Sequence, residues 1–274
     1  MSSLFRSVGK KMVVLLALML LFVVLTLIAN KSLLLNSKWL YVLSAPLAVV
    51  FLIVQNRFNL RSIYIAITVY GFMYVLYTPV FSPIDEAAHF DYIIKLLYDH
   101  RIPVISGLID TNKLATVSGY AIPGTGTLQY EAVHPPLYYF IGSLFVYPVQ
   151  SNLAISLISL RMLGLCFLLI SAHYAIKSYL FLIEKYKWER NDALFVILAL
   201  LFYTNPSILT RMITVSNESL VVCLSSILIY LMIKIVQFPD SKRYIRWIAF
   251  VSGCLILTKI TSVIFILPMV LFIL

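Results

Sequence analysis

The sequence predicts an all-α polytopic membrane protein of about seven to eight transmembrane helices, with a large outer loop carrying two interfacial amphipathic helices. Three observations predict it. The 274 residues are 62% hydrophobic and only 12% charged, more apolar surface than a soluble domain could hide. Apolar runs approaching or exceeding the ~18 residues of a membrane span recur along the chain. The basic residues behind the net charge of +10 sit in short clusters between those runs, the pattern of the positive-inside rule rather than a nucleic-acid surface.

The first three spans fall at Met12–Ala29, Trp39–Val54 and Ser62–Val80. Arg6, Lys10 and Lys11 precede the first, which reads as a retained signal anchor because the run is long and no small-residue cleavage site follows. Arg57 and Arg61 mark a second basic loop on the same, inner side, so three crossings bring the chain out at Asp85. Residues 1–80 thus form one block, 81–153 an extracytoplasmic loop, and 154–274 a second set of spans.

Within the loop, Ser82 suits a helix N-cap, Pro83 the first helical position and Asp85 the third. Phe90, Ile93, Ile94 and Leu97 then recur at helical spacing, with Asp91, Lys95 and Asp99 as an i,i+4 series on the other face. Residues 103–130 lack periodicity and read as loop. Pro136–Val149 is apolar, but its ~14 residues reach only about 21 Å at 1.5 Å per residue. Placing it in the interface, with Tyr138, Tyr139, Phe145 and Tyr147 as belt aromatics, keeps both later basic clusters inside.

Further spans follow at Ala154–Ile183, Asp192–Tyr203 and Leu220–Val236, with Asn205 to Ser219 as an outer connection. Another helix starts at Trp247. It either continues to Leu274 or breaks near Lys259, about 18 Å along it. The sequence stops inside an apolar run, as the N-terminal portion of a longer protein would. Cys166, Cys223 and Cys254 all lie in apolar segments and suggest neither disulfides nor a metal site.

The chemistry-bearing residues cluster around Asp85. Helix capping explains Asp85 by itself but not its neighbour Glu86, which falls near the apolar face of the same helix. Two adjacent carboxylates at the end of a span suit general-base work on a lipid-linked substrate. Glu86 and His89 are spaced so that a divalent metal is conceivable, although two candidate ligands are a weak match. His134 is either a polar handle near the site or part of a helix cap. Arg161 and Lys259 are cations set into spans, where charge is costly and suits a lipid phosphate. Asn217-Glu218-Ser219 is formally a glycosylation acceptor. No Gly-rich phosphate loop, serine-nucleophile elbow or Cys/His zinc pattern is present in the sequence.

In order, a span, Asp85-Glu86 with His89-Phe90, a loop, His134-Pro135-Pro136-Leu137-Tyr138-Tyr139 and then Arg161 resemble the GT-C superfamily of membrane glycosyltransferases. The likeness is strongest to the protein O-mannosyltransferase and aminoarabinose-transferase branch. It extends over roughly residues 62–268, including Asn205-Pro206, Ser216 to Ser219 and the stretch ending at Lys259. The resemblance implies transfer of a sugar from a polyprenyl-phosphate carrier to an acceptor hydroxyl on the outer face of the cell membrane. It matches Asp85 to the catalytic base, Glu86 to its acidic neighbour and Arg161 to the arginine after the interfacial helix. Glu218 stands where many relatives carry Asp. His89, His134, Arg161 and Lys259 are the expected substrate-binding residues; the expected partners are the lipid donor and membrane lipid, with no nucleic acid. A transporter or flippase of a lipid-linked anion is the alternative.

Overall fold

The structure is a computed structural model and describes residues 59–81, 85–119 and 128–264. The described residues are helical, with no strand beyond an isolated antiparallel bridge between Leu108 and Leu128. The expected spans Met12–Ala29 and Trp39–Val54 lie outside the described residues. Among the described residues three helices are long and apolar enough to cross a membrane, or four if the bent pair Asp192–Tyr203 and Pro206–Ile213 forms one broken span.

The chain divides into two compact units, residues 1–70 with 191–208 and residues 71–190 with 209–274. Helix α1 (Leu60–Tyr77), of which the residues up to Tyr70 belong to the first unit and the rest to the second, begins at a cap where Asn59 Oδ1 accepts from the Ser62 amide at 3.1 Å. Helix α6 (Asp192–Tyr203) occupies the span expected from the sequence and is capped by Asn191, which accepts from the Leu194 amide. It stops where Thr204 Oγ1 turns back onto the Leu200 carbonyl and Pro206 follows two residues later.

The second unit holds the polar region and two long helices. Helix α2 (Glu86–Tyr98), α4 (Leu137–Val146) and α5 (Leu153–Tyr186) share one apolar core containing Phe90, Ile93, Tyr138 and Leu160. A Cβ on Gly142 would stand 2.8 Å from Ile93 Cδ1, so the missing side chain is what lets α4 lie against α2. Helix α5 has 34 residues, about 51 Å at 1.5 Å per residue. It therefore extends well past a ~30 Å hydrocarbon layer. Helix α8 (Glu218–Gln237) packs along it, and α9 (Lys242–Thr258) packs on α8 through Val251 and Leu255 against Val221 and Leu228.

Several expectations are corrected. Residues 103–130 are not all loop: α3 (Thr111–Ser118) forms there, capped by Asp110 on the Lys113 amide and closed by Gly119 at φ 72°. The connection from Asn205 to Ser219 contains α7 (Pro206–Ile213), started by Pro206 at the first helical position. Tyr138 and Tyr139 are fully buried, not belt aromatics, whereas Phe145 and Tyr147 are exposed. Helix α9 begins at Lys242 rather than Trp247 and breaks at Lys259, whose backbone is extended (φ −156°, ψ 123°).

Candidate active site

The break between α1 and α2 is held by one ion pair. Arg161, about one quarter of the way along the apolar α5, is 2% exposed. Its Nε and Nη2 donate to Glu86 Oε1 and Oε2 at 2.8 and 2.6 Å. Nη1 donates to the Val75 and Thr78 carbonyls and Nη2 to the Pro79 carbonyl. All five guanidinium N–H groups are therefore used. Glu86 is equally committed: the Phe81 amide donates to Oε2 at 3.0 Å and the Val215 amide to Oε1 at 3.1 Å. A charge pair this deep persists only when every donor and acceptor is satisfied, and here they are. The pair ties together the end of α1, the start of α2, the third turn of α5 and the segment entering α8.

This brace corrects two expectations. Arg161 has no N–H left for a lipid phosphate. Glu86 carries no free lone pair for base catalysis and does not share a ligand position with His89. Glu86 and Arg161 hold the chain segments around Asp85 together.

Asp85 is the residue the brace positions. Helix α2 starts at Glu86 and Asp85 occupies the cap position, three residues later than a Ser82 cap would put it; Ser82 and Pro83 lie outside the described residues. The Asp85 side chain caps nothing. It is exposed, and among the described residues its carboxylate accepts one hydrogen bond, from Tyr130 Oη at 3.1 Å. That bond and the nearby carboxylates push the Tyr130 phenol well above its ordinary range, after the larger effect of burial.

Beside Asp85 lies a residue that the sequence reading left out of the site, Glu131. The 3-10 turn Tyr130–Val133 presents it, 6% exposed, with Oε2 3.3 Å from both His89 Nδ1 and His134 Nε2. Tyr139 Oη donates to the same oxygen at 3.4 Å and shares a 2.9 Å hydrogen bond with His89 Nδ1. Burial, then the charge of Asp85, raises the Glu131 carboxyl to about 7. Burial lowers His89 to about 3, helped by His134 and Lys259. His134 is lowered by burial and by Lys259. Both imidazoles are therefore neutral at neutral pH. The available signal was Glu131-x-x-His134, a carboxylate and an imidazole one helical turn apart.

His89 is thus a buried residue with partners fifty and forty-two positions away. Tyr139 is fixed from its other face by Tyr92, the rings 3.7 Å apart and 12° from parallel. Asp91 is also buried rather than on a wet face, accepting from Lys95, Gln129 and the Asp110 amide. Those bonds pin the start of α3 and the strand-like segment at Gln129 onto α2.

Lys259 closes the cluster. The α9 break directs its Nζ to Glu218 Oε1 at 2.7 Å, with both side chains partly exposed. The charges of both reach Glu131 and His134. Asn217, the formal glycan acceptor, is 1% exposed and cannot receive a sugar. Gly164 on α5 allows this side of the site to close: a Cβ there would collide with the Met212 carbonyl oxygen at the start of the segment carrying Val215 to Glu218.

Asp85, Tyr130, Glu131, His89, His134, Glu218 and Lys259 therefore form one electrostatically coupled group. Among the described residues no three His, Cys, Asp or Glu side chains converge to hold a metal ion. Comparisons with protein-family models, curated proteins and solved structures found no match.

Proposed function

We propose that the chain carries the catalytic site of a membrane glycosyltransferase. It moves a sugar from a polyprenyl-phosphate carrier to an acceptor hydroxyl at the extracytoplasmic face of the cell membrane. The observation that carries this reading is the contrast between the two neighbouring carboxylates. Glu86 is saturated by Arg161 and two backbone amides, while Asp85 stands exposed with only Tyr130 on it.

In this reading Asp85 takes the proton of the acceptor hydroxyl as its oxygen attacks the anomeric carbon. The bond from that carbon to the phosphate oxygen breaks, and the polyprenyl phosphate leaves with the electron pair. The departing phosphate bears its own charge and needs no proton. Lys259 is the cation that meets it, exchanging Glu218 for the phosphate. His89 and His134, both neutral, hold Glu131, and the partly exposed His134 offers a hydrogen bond to the sugar.

The topology that accompanies this function has seven to eight crossings. They are Met12–Ala29, Trp39–Val54, α1, α5, α6 with α7, α8, α9, and an eighth if the chain turns back after Lys259. The flippase alternative is weakened, because Arg161 is consumed by the brace and cannot escort a head group.

The test is sugar transfer by the full-length protein in vesicles loaded with polyprenyl-phosphate-linked sugar. Asp85→Asn removes the base while keeping the shape, with an expected loss of roughly 10²–10⁴ in rate. Equal turnover by the variant and the parent removes Asp85 from the mechanism.

A further inference from the structure

Two segments forty-five positions apart meet at the Asp85 carboxylate. An aspartate at the start of a helix ordinarily accepts from the second or third amide of that helix, reaching it from an extended backbone. Asp85 has a helical backbone instead (φ −92°, ψ −14°), and its side chain caps nothing. An exposed aspartate with no bond to its own helix is free to turn about both side-chain torsions. Among the described residues one group holds it: the Tyr130 hydroxyl, which donates to Oδ1 at 3.1 Å.

Tyr130 is itself exposed, but the turn that carries it is fastened on both sides. Before it, Gln129 is fully buried. Its Nε2 donates to the Ala88 carbonyl at 3.0 Å and to Asp91 Oδ2 at 2.6 Å, and its main-chain amide donates to the Gly107 carbonyl at 2.7 Å. After it, Glu131 is buried with His89 Nδ1 and His134 Nε2 both 3.3 Å from its Oε2. Ala88, His89 and Asp91 all belong to α2, the helix that Asp85 starts. The turn is therefore registered against the same helix as the carboxylate it serves. Burial, then the charge of Asp85, holds the Tyr130 phenol well above its ordinary range, so it remains a donor throughout the neutral range.

A base that takes a proton in a transition state must hold its oxygen within about 0.5 Å and 10–20° of the productive geometry. One hydrogen bond on Oδ1 ends the free rotation of the carboxylate and leaves Oδ2 with its lone pairs for the acceptor hydroxyl. We infer that Tyr130 is a positioning residue for Asp85: its hydroxyl holds Oδ1 so that Oδ2 takes the proton, and the buried Gln129 and Glu131 on either side hold the hydroxyl in place. The inference rests on the transferase reading and adds to it the group that orients the base. The working part of Tyr130 is its hydroxyl, not its ring.

The experiment compares the full-length parent, Tyr130→Phe, Asp85→Asn and the double variant. The vesicles carry radiolabelled polyprenyl-phosphate mannose or polyprenyl-phosphate glucose, and label lost from the polyprenyl carrier is followed. Tyr130→Phe keeps the ring and removes the donor. Its kcat should fall roughly tenfold to a hundredfold, the size of one hydrogen bond to a charged group. The KM for the donor and the melting temperature should stay at the parent values, because the hydroxyl lies at an exposed carboxylate. Since Tyr130 acts through Asp85, adding Tyr130→Phe to Asp85→Asn should lower kcat no further. A parent-like kcat in Tyr130→Phe, a raised KM in place of a lowered kcat, or a further loss in the double variant overturns the inference and leaves the transferase reading to Asp85→Asn alone. A measurement that needs no turnover is carbodiimide labelling with glycinamide, read by mass spectrometry. Asp85 should label severalfold faster in Tyr130→Phe, while Asp110, which caps α3, labels as in the parent. An unchanged Asp85 rate overturns the inference whether or not either sugar is transferred. Faster labelling with no transfer of either sugar by the parent removes the transferase reading and the role built on it.

Discussion

Replacing Arg161 by Met tests the central structural argument, because the two roles open to Arg161 make opposite predictions. The substitution keeps an unbranched apolar stem but removes five donated hydrogen bonds at once. Glu86, 1% exposed, keeps only the amides of Phe81 and Val215 and becomes a buried charge without its counter-ion. The Thr78 and Pro79 carbonyls, past the end of α1, also lose these donors. Breaking one partner of a buried pair costs about 3–5 kcal/mol. At about 2–4 °C per kcal/mol for a chain of this size, melting in detergent should fall by roughly 10 °C. Glu86→Leu with Arg161→Met should recover a large part, since a matched apolar pair leaves no stranded charge. The cycle from parent through both single variants should show coupling of at least ~2 kcal/mol. The assay is thermal unfolding followed by intrinsic fluorescence, without substrate. If Arg161→Met melts like the parent and only raises the KM for a lipid-phosphate donor, Arg161 is a phosphate ligand and the brace argument is wrong.

Other outcomes follow from the same geometry. Gly164→Ala drives a methyl into the Met212 carbonyl and should cost about 1–3 kcal/mol in a melting assay; an unshifted melt would mean the contact relaxes freely. Glu131 and His89 should pull stability in opposite directions with pH. The raised Glu131 carboxyl favours the acid side, and that share is lost as pH rises from its ordinary 4.5 through about 7. The lowered His89 favours the neutral side, and its share is lost as pH falls from 6.5 toward 3. Between pH 4.5 and 6.5 the two oppose each other, so Glu131→Gln should steepen the acid loss; a melting-versus-pH curve unchanged by Glu131→Gln refutes this. Lys259→Met should lower turnover more than stability, because its pair with Glu218 is partly exposed and worth at most about 1 kcal/mol. Parent-like transfer kinetics in that variant would remove Lys259 from substrate binding.

Hydrophobic run length and punctuation made much of the fold legible. Helix α6 falls on Asp192–Tyr203 as read from the sequence, and α8 within two residues of the expected span. What stayed hidden required knowing what each polar atom meets. Tyr138 reads as an amphipathic belt residue, yet its hydroxyl is buried accepting from the Ser216 amide at 3.1 Å. Asp91 fits an i,i+4 surface series, yet its carboxylate is covered by a loop nineteen to thirty-eight residues away. The helix at Thr111 was masked by its polar composition, although Asp110 and Gly119 mark both ends. For the candidate site, Asp85 and Lys259 were readable as outliers in their surroundings. Arg161 was readable only as a costly charge, and its partner could not be told from position. Glu131 was passed over because an acid in a short polar turn has nothing unusual about it until two imidazoles close over it.

The brace also determines how much of this chain is free to vary. The five groups that Arg161 and Glu86 engage beyond each other, the three acceptors at Val75, Thr78 and Pro79 and the two donors at Phe81 and Val215, are all main-chain atoms. Main-chain atoms are supplied by almost any residue. The architecture around Asp85 is therefore written in two letters seventy-five positions apart, with the surrounding alphabet left open. Chains with quite different helices could share it, and a search that scores similarity along the whole length would pass over them. A search for a lone arginine in a span, paired with an acid at the end of an earlier one, would not.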